Sequence, residues 1–197
     1  MNTPRLLPGA TRLNNNDSIG QIAIVDGFFN PDECQRAVEL YVSATHHPSP
    51  IGDNRLNVGE KVRKSDVTFL PPDSEHAWLF EKLEYAVMQL NRSYGLDLSG
   101  FHESLQLARY QPGGHYDWHV DLGTGGASNR KLSISVQLSD PAEYEGGDLE
   151  FFPSDSPTPR TLGTLIAFPS FMVHRVSPVT RGTRHSLVSW ISGPVYR

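Results

Sequence analysis

The chain has 197 residues, of which 38% are hydrophobic and 20% are charged, a composition typical of one compact globular domain. Its net charge is -5 and it has no long basic run, which argues against a sequence-independent nucleic-acid binder. The single cysteine excludes an internal disulfide, and no segment resembles a signal peptide or reaches the length of a membrane span. We therefore expect a cytoplasmic protein with no nucleic-acid or membrane partner, and we leave its oligomeric state open.

The N-terminal end predicts an irregular lead-in followed by a capped helix. Residues 1–18 are polar and carry no hydrophobic period. Further on, Asn30 can cap a helix, Pro31 suits its first position and Glu33 completes a capping box. The apolar positions that follow recur at helical spacing and include Cys34, so we expect this thiol to be buried rather than reactive.

A long loop and a second helix come next. Residues 43–60 contain prolines and glycines that break any hydrophobic period, and loops of this length often cover a binding site. Residues 74–94 carry an apolar stripe at helical spacing, and Gly95 is expected to end that helix. We therefore assign residues 19–103 to a helical support with its loop.

Residues 104–192 change to β-type patterns. Pro and Gly turns separate six short β-rich runs: LQLARY, HYDWHV, KLSISVQL, GDLEFF, TLIAF and RHSLVSWI. Helices followed by strands predict an α+β fold, with helices packed on one face of a β-sandwich or barrel. No linker divides the chain, so we expect a single domain over residues 1–197.

Two His-x-Asp pairs lie close together in one of these runs. His119 with Asp121, and His115 with Asp117, each place an imidazole and a carboxylate on one face of a strand. With a further histidine, such a pair would form the two-His, one-carboxylate triad that leaves positions on an iron ion open. All four residues share the same strand parity, so alternation alone does not choose between the pairs.

The C-terminal half offers the missing partner residues. His174 follows an apolar strand and a turn, and Arg184 opens the last strand ten residues later. A di-acid that chelates iron through its keto-acid end leaves a far carboxylate, which a guanidinium can bind with two hydrogen bonds. Ser186 shares the strand face of Arg184 and could contact the same carboxylate.

Together these residues resemble the prolyl 4-hydroxylase branch of the 2-oxoglutarate- and Fe(II)-dependent oxygenases. In that branch a Tyr, a Gly and a second Tyr precede the metal-binding H-x-D at fixed spacing. The matching positions here are Tyr110, Gly113, Tyr116, His119 and Asp121. The resemblance therefore selects His119 and Asp121 over His115 and Asp117.

The resemblance covers residues 104–192 well. It continues through Gly146, Gly147, Asp148, His174, Gly182, Arg184, Ser186 and Trp190. Two positions depart from the pattern of many members. Arg184 stands where many members have Lys, and this Arg form resembles the bacterial hydroxylase subgroup. Gln137 stands where animal and plant-type members often have Tyr. These departures bear on the substrate more than on the cofactor and the metal.

The resemblance implies a double-stranded β-helix (jelly roll) with the N-terminal helices packed on one face and 104–192 as its metal-binding core. The implied ligands of Fe(II) are His119, Asp121 and His174. Tyr110 and Arg184 would bind 2-oxoglutarate, with Ser186 as a further contact, and ascorbate is an additional candidate cofactor. The reaction would use O2 to hydroxylate a C–H bond, releasing succinate and CO2, with a prolyl residue in a peptide or protein as the leading substrate.

Three alternatives remain open at this stage. The substrate could be a free amino acid or small metabolite, the protein could be a non-catalytic metal-binding sensor, or the triad could hold zinc in a hydrolase. A hydrolase would not need Arg184, and no additional acid–base Glu lies beside the ligands. His115, Asp117 and Arg63 are further candidates for substrate contacts, and Trp118 is expected in the core.

Overall fold

The computed structural model describes residues 5–6, 20–44, 47–48, 62–153 and 157–196. Within these ranges the helices are α1 (Pro31–Ser43), α2 (Ala77–Tyr94) and a 3-10 helix at Gly125–Asn129. The strands, in chain order, are β1 (Arg5–Leu6), β2 (Ala23–Val25), β3 (His47–Pro48), β4 (Arg63–Lys64), β5 (Asp66–Leu70), β6 (Gly100–Phe101), β7 (Leu105–Tyr110), β8 (His115–His119), β9 (Arg130–Gln137), β10 (Glu145–Gly146), β11 (Leu149–Phe151), β12 (Leu165–Pro169), β13 (His174–Val176), β14 (Val179–Arg181) and β15 (Arg184–Ser192). None of the helices in the described ranges is long and apolar enough to cross a membrane.

A large antiparallel sheet forms the centre of the fold. Its strand order is β1-β2-β12-β9-β15-β7-β5-β3, and β6 pairs with β15 beside this path. The outer strands β1 and β3 fall within the predicted lead-in and loop. Most of residues 1–18 and 43–60 lies outside the described residues.

A smaller antiparallel sheet, with strand order β11-β13-β8-β4, packs against the large one, and β10 pairs separately with β14. Side chains from both sheets meet in one apolar cluster, in which Ile166 and Phe168 of the large sheet join Leu149 and Phe151 of the smaller one. The two sheets form the double-stranded β-helix that the resemblance implied.

The large sheet separates this inner cluster from a second hydrophobic core. Leu105 and Leu107 of β7 belong to the core that α1 and α2 cover, whereas Ala108 and Tyr110 belong to the inner cluster. One strand serves both cores because successive side chains point to opposite faces of a sheet. The prediction of helices on one face of the β-structure is confirmed.

Helix α1 begins as its sequence predicts. The side chain of Asn30 accepts a hydrogen bond from the backbone N–H of Glu33 at 2.9 Å, and the Glu33 carboxylate accepts one from the N–H of Asn30 at 2.8 Å. Cys34 is 1% exposed in the helix-side core, and burial raises the pKa of its thiol to about 11. The prediction of a buried cysteine is confirmed.

Helix α2 ends at Gly95 as predicted, with a left-handed φ of 61° at that glycine. It begins at Ala77 rather than near residue 74. The Asp73 carboxylate accepts hydrogen bonds from the backbone N–H groups of Glu75 and His76, at 3.0 and 3.1 Å, and so holds a separate turn before the helix.

Candidate active site

The three predicted metal ligands lie together in the structure. His119 ends β8 and His174 begins β13, and the two are direct partners in the antiparallel register. Asp121 follows β8, where its backbone N–H donates to the carbonyl of Ser170 at 3.0 Å. Its carboxylate oxygens lie 3.7 Å from Nε2 of His119 and 3.6 Å from Nε2 of His174. The three groups therefore fit a single metal ion.

Hydrogen bonds fix both imidazole rings. Nδ1 of His119 lies 2.7 Å from the carbonyl oxygen of Asp117, and Nδ1 of His174 lies 2.9 Å from that of Met172. A carbonyl can only accept, so each Nδ1 carries the proton and each Nε2 keeps its lone pair on the side of Asp121. Metal-binding histidines need this tautomer and orientation.

The local electrostatics favour the metal-binding forms of the ligands at neutral pH. Burial, and then the proximity of His174, lower the pKa of His119 to about 4. Burial raises the pKa of Asp121, but His174, His119 and the Ser133 hydroxyl lower it, and the net shift is downward. His119 is therefore neutral and Asp121 ionised, the states in which these groups bind metals.

A cavity of about 550 Å³ between the two sheets contains the triad. Its walls also include Tyr110, Arg184 and Ser186, the three residues predicted to bind the co-substrate. In the large sheet, Arg184 pairs with Tyr110 on β7, and Ser186 pairs with Gln137 on β9. The fold thus brings all six predicted site residues into one cavity.

Arg184 is a buried cation without a counter-ion among the described residues. It is 1% exposed; Nη2 donates to Oε1 of Gln137 at 2.9 Å and Nη1 donates to the Ser186 hydroxyl at 3.4 Å. Its buried Nε has no hydrogen-bond partner in the described part of the chain. The guanidinium carbon lies 5.4 Å from the ring centroid of Tyr110. Because a buried charge is costly unless it is paired, this position fits a ligand that brings its own carboxylate.

Two adjacent glycines lie at close approaches of the chain, and the second makes room for Arg184. Gly147 has φ +67°, and a Cβ there would lie 3.0 Å from Cδ of Arg184 and 2.9 Å from Cγ2 of Val179. Gly146 has φ +69°, and a Cβ there would lie 2.1 Å from the carbonyl oxygen of Pro178. Glycine satisfies both the left-handed backbone and the close approach, which gives the Gly-Gly-Asp motif a physical explanation.

A β-bulge in β8 determines which of its residues face the cavity. Between the pairs His119–His174 and Tyr116–Val176, β8 has two residues where β13 has one. The extra residue places the rings of Tyr116 and His119 on the same side, where they stack with centroids 3.4 Å apart.

His115 and the two residues within the bulge lie away from the cavity lining. His115 and Asp117, the second H-x-D pair, are not among the residues that line the cavity in the described structure. The expectation that Trp118 belongs to the core is wrong, since this residue is 39% exposed. Its ring lies on the outer face, 4.5 Å from the guanidinium carbon of Arg175.

One wall of the cavity carries a charged and aromatic group that the sequence analysis did not identify. Arg130 forms an ion pair with Glu103, and its Nη1 donates to the carbonyl of Asp121 at 3.2 Å. Its guanidinium carbon lies 3.8 Å from the ring centroid of Trp190. Of these three residues, only Trp190 could have been predicted from the sequence, because it shares the strand face of Arg184. Glu103 and Arg130 come from separate elements, so no local pattern relates them.

Arg63 also lines the cavity and is 8% exposed. Its Nε donates to the Ser65 hydroxyl at 3.0 Å, and its guanidinium carbon lies 4.5 Å from the ring centroid of Tyr116. This location agrees with its selection as a candidate for substrate contact.

A jelly roll that holds two histidines, a carboxylate and a buried arginine in one cavity is the arrangement typical of 2-oxoglutarate- and Fe(II)-dependent oxygenases. Residues 105–192 match the sequence model of the 2OG-Fe(II) oxygenase superfamily. This match confirms the resemblance inferred from the motifs in the same part of the chain.

Curated relatives match the same region. A PKHD-type hydroxylase of Picosynechococcus is 39% identical over 90 residues, which cover 45% of this chain and 41% of the relative. A PKHD-type hydroxylase of Maricaulis maris is 36% identical over 93 residues, covering 46% and 42% of the two chains. The chain therefore spans less than half the length of these relatives.

Solved structures share the fold over most of the chain. A Pseudomonas putida prolyl-4-hydroxylase has a TM-score of 0.70 at 21% identity and covers 91% of this chain and 97% of its own. A prolyl hydroxylase of Trichoplax adhaerens, in complex with a hypoxia inducible factor peptide fragment, has a TM-score of 0.70 at 18% identity, covering 91% and 86%. At these identities the likeness concerns the fold.

Proposed function

We propose that this protein is an Fe(II)- and 2-oxoglutarate-dependent dioxygenase that hydroxylates a C–H bond and releases succinate and CO2. The observation that carries the proposal is the buried Arg184, without a counter-ion among the described residues, in the cavity that contains the metal-binding cluster. A hydrolytic zinc site would need the cluster alone. The arginine would then cost stability without serving the reaction.

The proposed metal ligands are His119, Asp121 and His174. Tyr110 and Arg184 are proposed to bind 2-oxoglutarate, with Ser186 as a further contact. Ferrous iron, when bound, would supply the activation of O2. The protein's own residues hold the ligand atoms together, keep the imidazoles in the correct tautomer and direct a guanidinium toward the far carboxylate.

Charge balance in the cavity supports this assignment. A ferrous ion and Arg184 are positive, Asp121 and the 2-oxoglutarate dianion are negative, and these four charges cancel, while Arg63 on the cavity lining adds one positive charge. Arg130 is already paired with Glu103. A poorly solvated cavity favours a neutral set of charges, so we expect metal and co-substrate to bind cooperatively.

We further propose that the substrate is a prolyl residue in a peptide or protein. This rests on analogy with the prolyl hydroxylases among the solved neighbours. The cavity lining includes Arg63, Glu103 and Arg130, which supply polar groups that an extended peptide backbone could use. The loop predicted over residues 43–60, which we expected to cover such a peptide, lies mostly outside the described residues.

The first test is an anaerobic titration of the protein with Fe(II) and 2-oxoglutarate, following the weak visible charge-transfer band of the chelate. We expect the band in the wild type, its loss in His119→Ala and a weaker co-substrate affinity in Arg184→Ala. His102→Ala changes an exposed histidine outside the cavity and serves as the control. A folded, iron-loaded protein without the band would rule out 2-oxoglutarate and favour a metal-binding sensor.

The substrate is tested separately by measuring succinate release with peptide and free amino acid libraries, with ascorbate present to keep the iron reduced. Turnover with proline-containing peptides, and a mass increase of one oxygen atom on proline, would support the proposal. Turnover with free amino acids alone would contradict the peptide substrate and leave the dioxygenase assignment intact.

A further inference from the structure

Gln137 is the residue that contacts the charged end of Arg184. It is 1% exposed at the end of β9 and pairs with Ser186 in the register of the large sheet. Its Oε1 accepts the hydrogen bond from Nη2 of Arg184 at 2.9 Å. The only other hydrogen bond of this guanidinium to a described residue is the longer one to Ser186, at 3.4 Å.

The amide of Gln137 is held in one orientation. Its backbone N–H donates to the carbonyl of Thr164 at 3.0 Å, and its backbone carbonyl accepts from the N–H of Gly163 at 2.8 Å. Its side-chain Nε2 lies 3.4 Å from the carbonyl oxygen of Pro159. Because a guanidinium can only donate, the amide oxygen must face Arg184 and the amide nitrogen must face Pro159.

A neutral amide orients a cation without cancelling its charge. Had a carboxylate stood at this position, Arg184 would form an internal ion pair and no longer need an external anion. We propose that Gln137 is a positioning residue for the co-substrate anchor: it fixes the guanidinium with a neutral dipole and leaves the positive charge available to a dicarboxylate. This inference rests on the proposed use of 2-oxoglutarate.

The test is the near-isosteric substitution Gln137→Glu. Anaerobic titration of the Fe(II)-loaded protein with 2-oxoglutarate should give an affinity lower by on the order of tenfold or more, because the new carboxylate occupies the guanidinium and repels the co-substrate. Iron affinity, measured without 2-oxoglutarate, and the thermal midpoint of the metal-free protein should not fall. Gln137→Met, which removes the acceptor without adding charge, should weaken 2-oxoglutarate binding by a smaller factor.

Gln106→Glu is the matched control. Gln106 is also buried, and it lines the cavity. In the sheet register it pairs with Val188, whereas Arg184 pairs with Tyr110. The inference is overturned if Gln137→Glu binds 2-oxoglutarate as tightly as the wild type, or if Gln106→Glu loses as much affinity. Failure of the wild type itself to bind 2-oxoglutarate would instead contradict the proposed function.

Discussion

At the scale of single residues, Arg184 is expected to affect both dicarboxylate binding and the stability of the fold. A buried charge that lacks an opposite charge lowers the stability of the ligand-free fold, because the interior solvates it less well than water does. Binding of a dicarboxylate would compensate this charge. The same side chain is therefore expected to destabilise the empty protein and to stabilise the loaded one.

The substitution Arg184→Met separates these two effects. Without ligand, we expect the free energy of unfolding in urea to rise, or to stay within error of the wild type, with a gain of about 1 to 2 kcal/mol at most. With metal bound to both proteins, adding 2-oxoglutarate should stabilise the wild type clearly more than the variant. Arg181→Met, which removes an exposed arginine paired with Glu145, is the control and should change stability by less than about 0.5 kcal/mol. A large loss in ligand-free Arg184→Met would contradict this account.

At the scale of elements, the sequence predicted the ends of the helices better than the local path of β8. The caps of α1 and the end of α2 depend on neighbouring residues, so a local pattern was sufficient. Alternation along β8 was misleading because a bulge, which depends on the partner strand β13, changes its phase. The family spacing selected His119 and Asp121, the pair that the structure brings together with His174.

The outer cavity wall illustrates a second limit. Arg130 and Glu103 are 27 residues apart and meet only because β9 and β7 pair with opposite edges of β15 in the folded sheet. No periodicity within either segment marks them as a pair. Residues of this kind are predictable only once strand pairing is known.

The connection between β10 and β11 gives a testable case of backbone geometry. We expect Gly147→Ala to lower the free energy of unfolding by about 1 to 3 kcal/mol, because alanine is strained at φ +67° and its Cβ would crowd Cδ of Arg184. It should also weaken 2-oxoglutarate binding by displacing the arginine. Gly126→Ala, where a Cβ meets nothing within 4 Å, should affect neither property. Both are measured by urea unfolding and by co-substrate titration.

At the scale of the whole molecule, two half-buried histidines with lowered pKa values, His119 and His185, make stability depend on pH. Burial, and then Arg109 and Arg184, lower the pKa of His185 to about 4, and burial and His174 lower that of His119 to about 4. In the unfolded chain both side chains take up protons near pH 6.5. Between these values the unfolded state binds more protons than the folded state, so the stability of the metal-free protein falls as pH falls from about 6.5 to about 4.

The contribution of His185 can be isolated. Each histidine accounts for roughly 2 to 3 kcal/mol over this range, so His185→Gln should remove about half of the slope of unfolding free energy against pH. The measurement is urea unfolding of the metal-free protein at several pH values between 7.5 and 4.5. His102→Gln, an exposed histidine, should retain the wild-type slope. An unchanged slope in His185→Gln would contradict the assignment.

The division of the large sheet between two cores also bears on how such a protein can acquire new substrates. Along β15 the even-numbered residues Arg184, Ser186, Val188 and Trp190 line the cavity, whereas Leu187 and Ile191 lie in the core beneath the helices. Evolution can therefore vary the specificity of the cavity through one set of alternating positions while the scaffold is preserved through the other. Single-residue insertions in this strand exchange the two sets and are the changes that such a lineage is least able to tolerate.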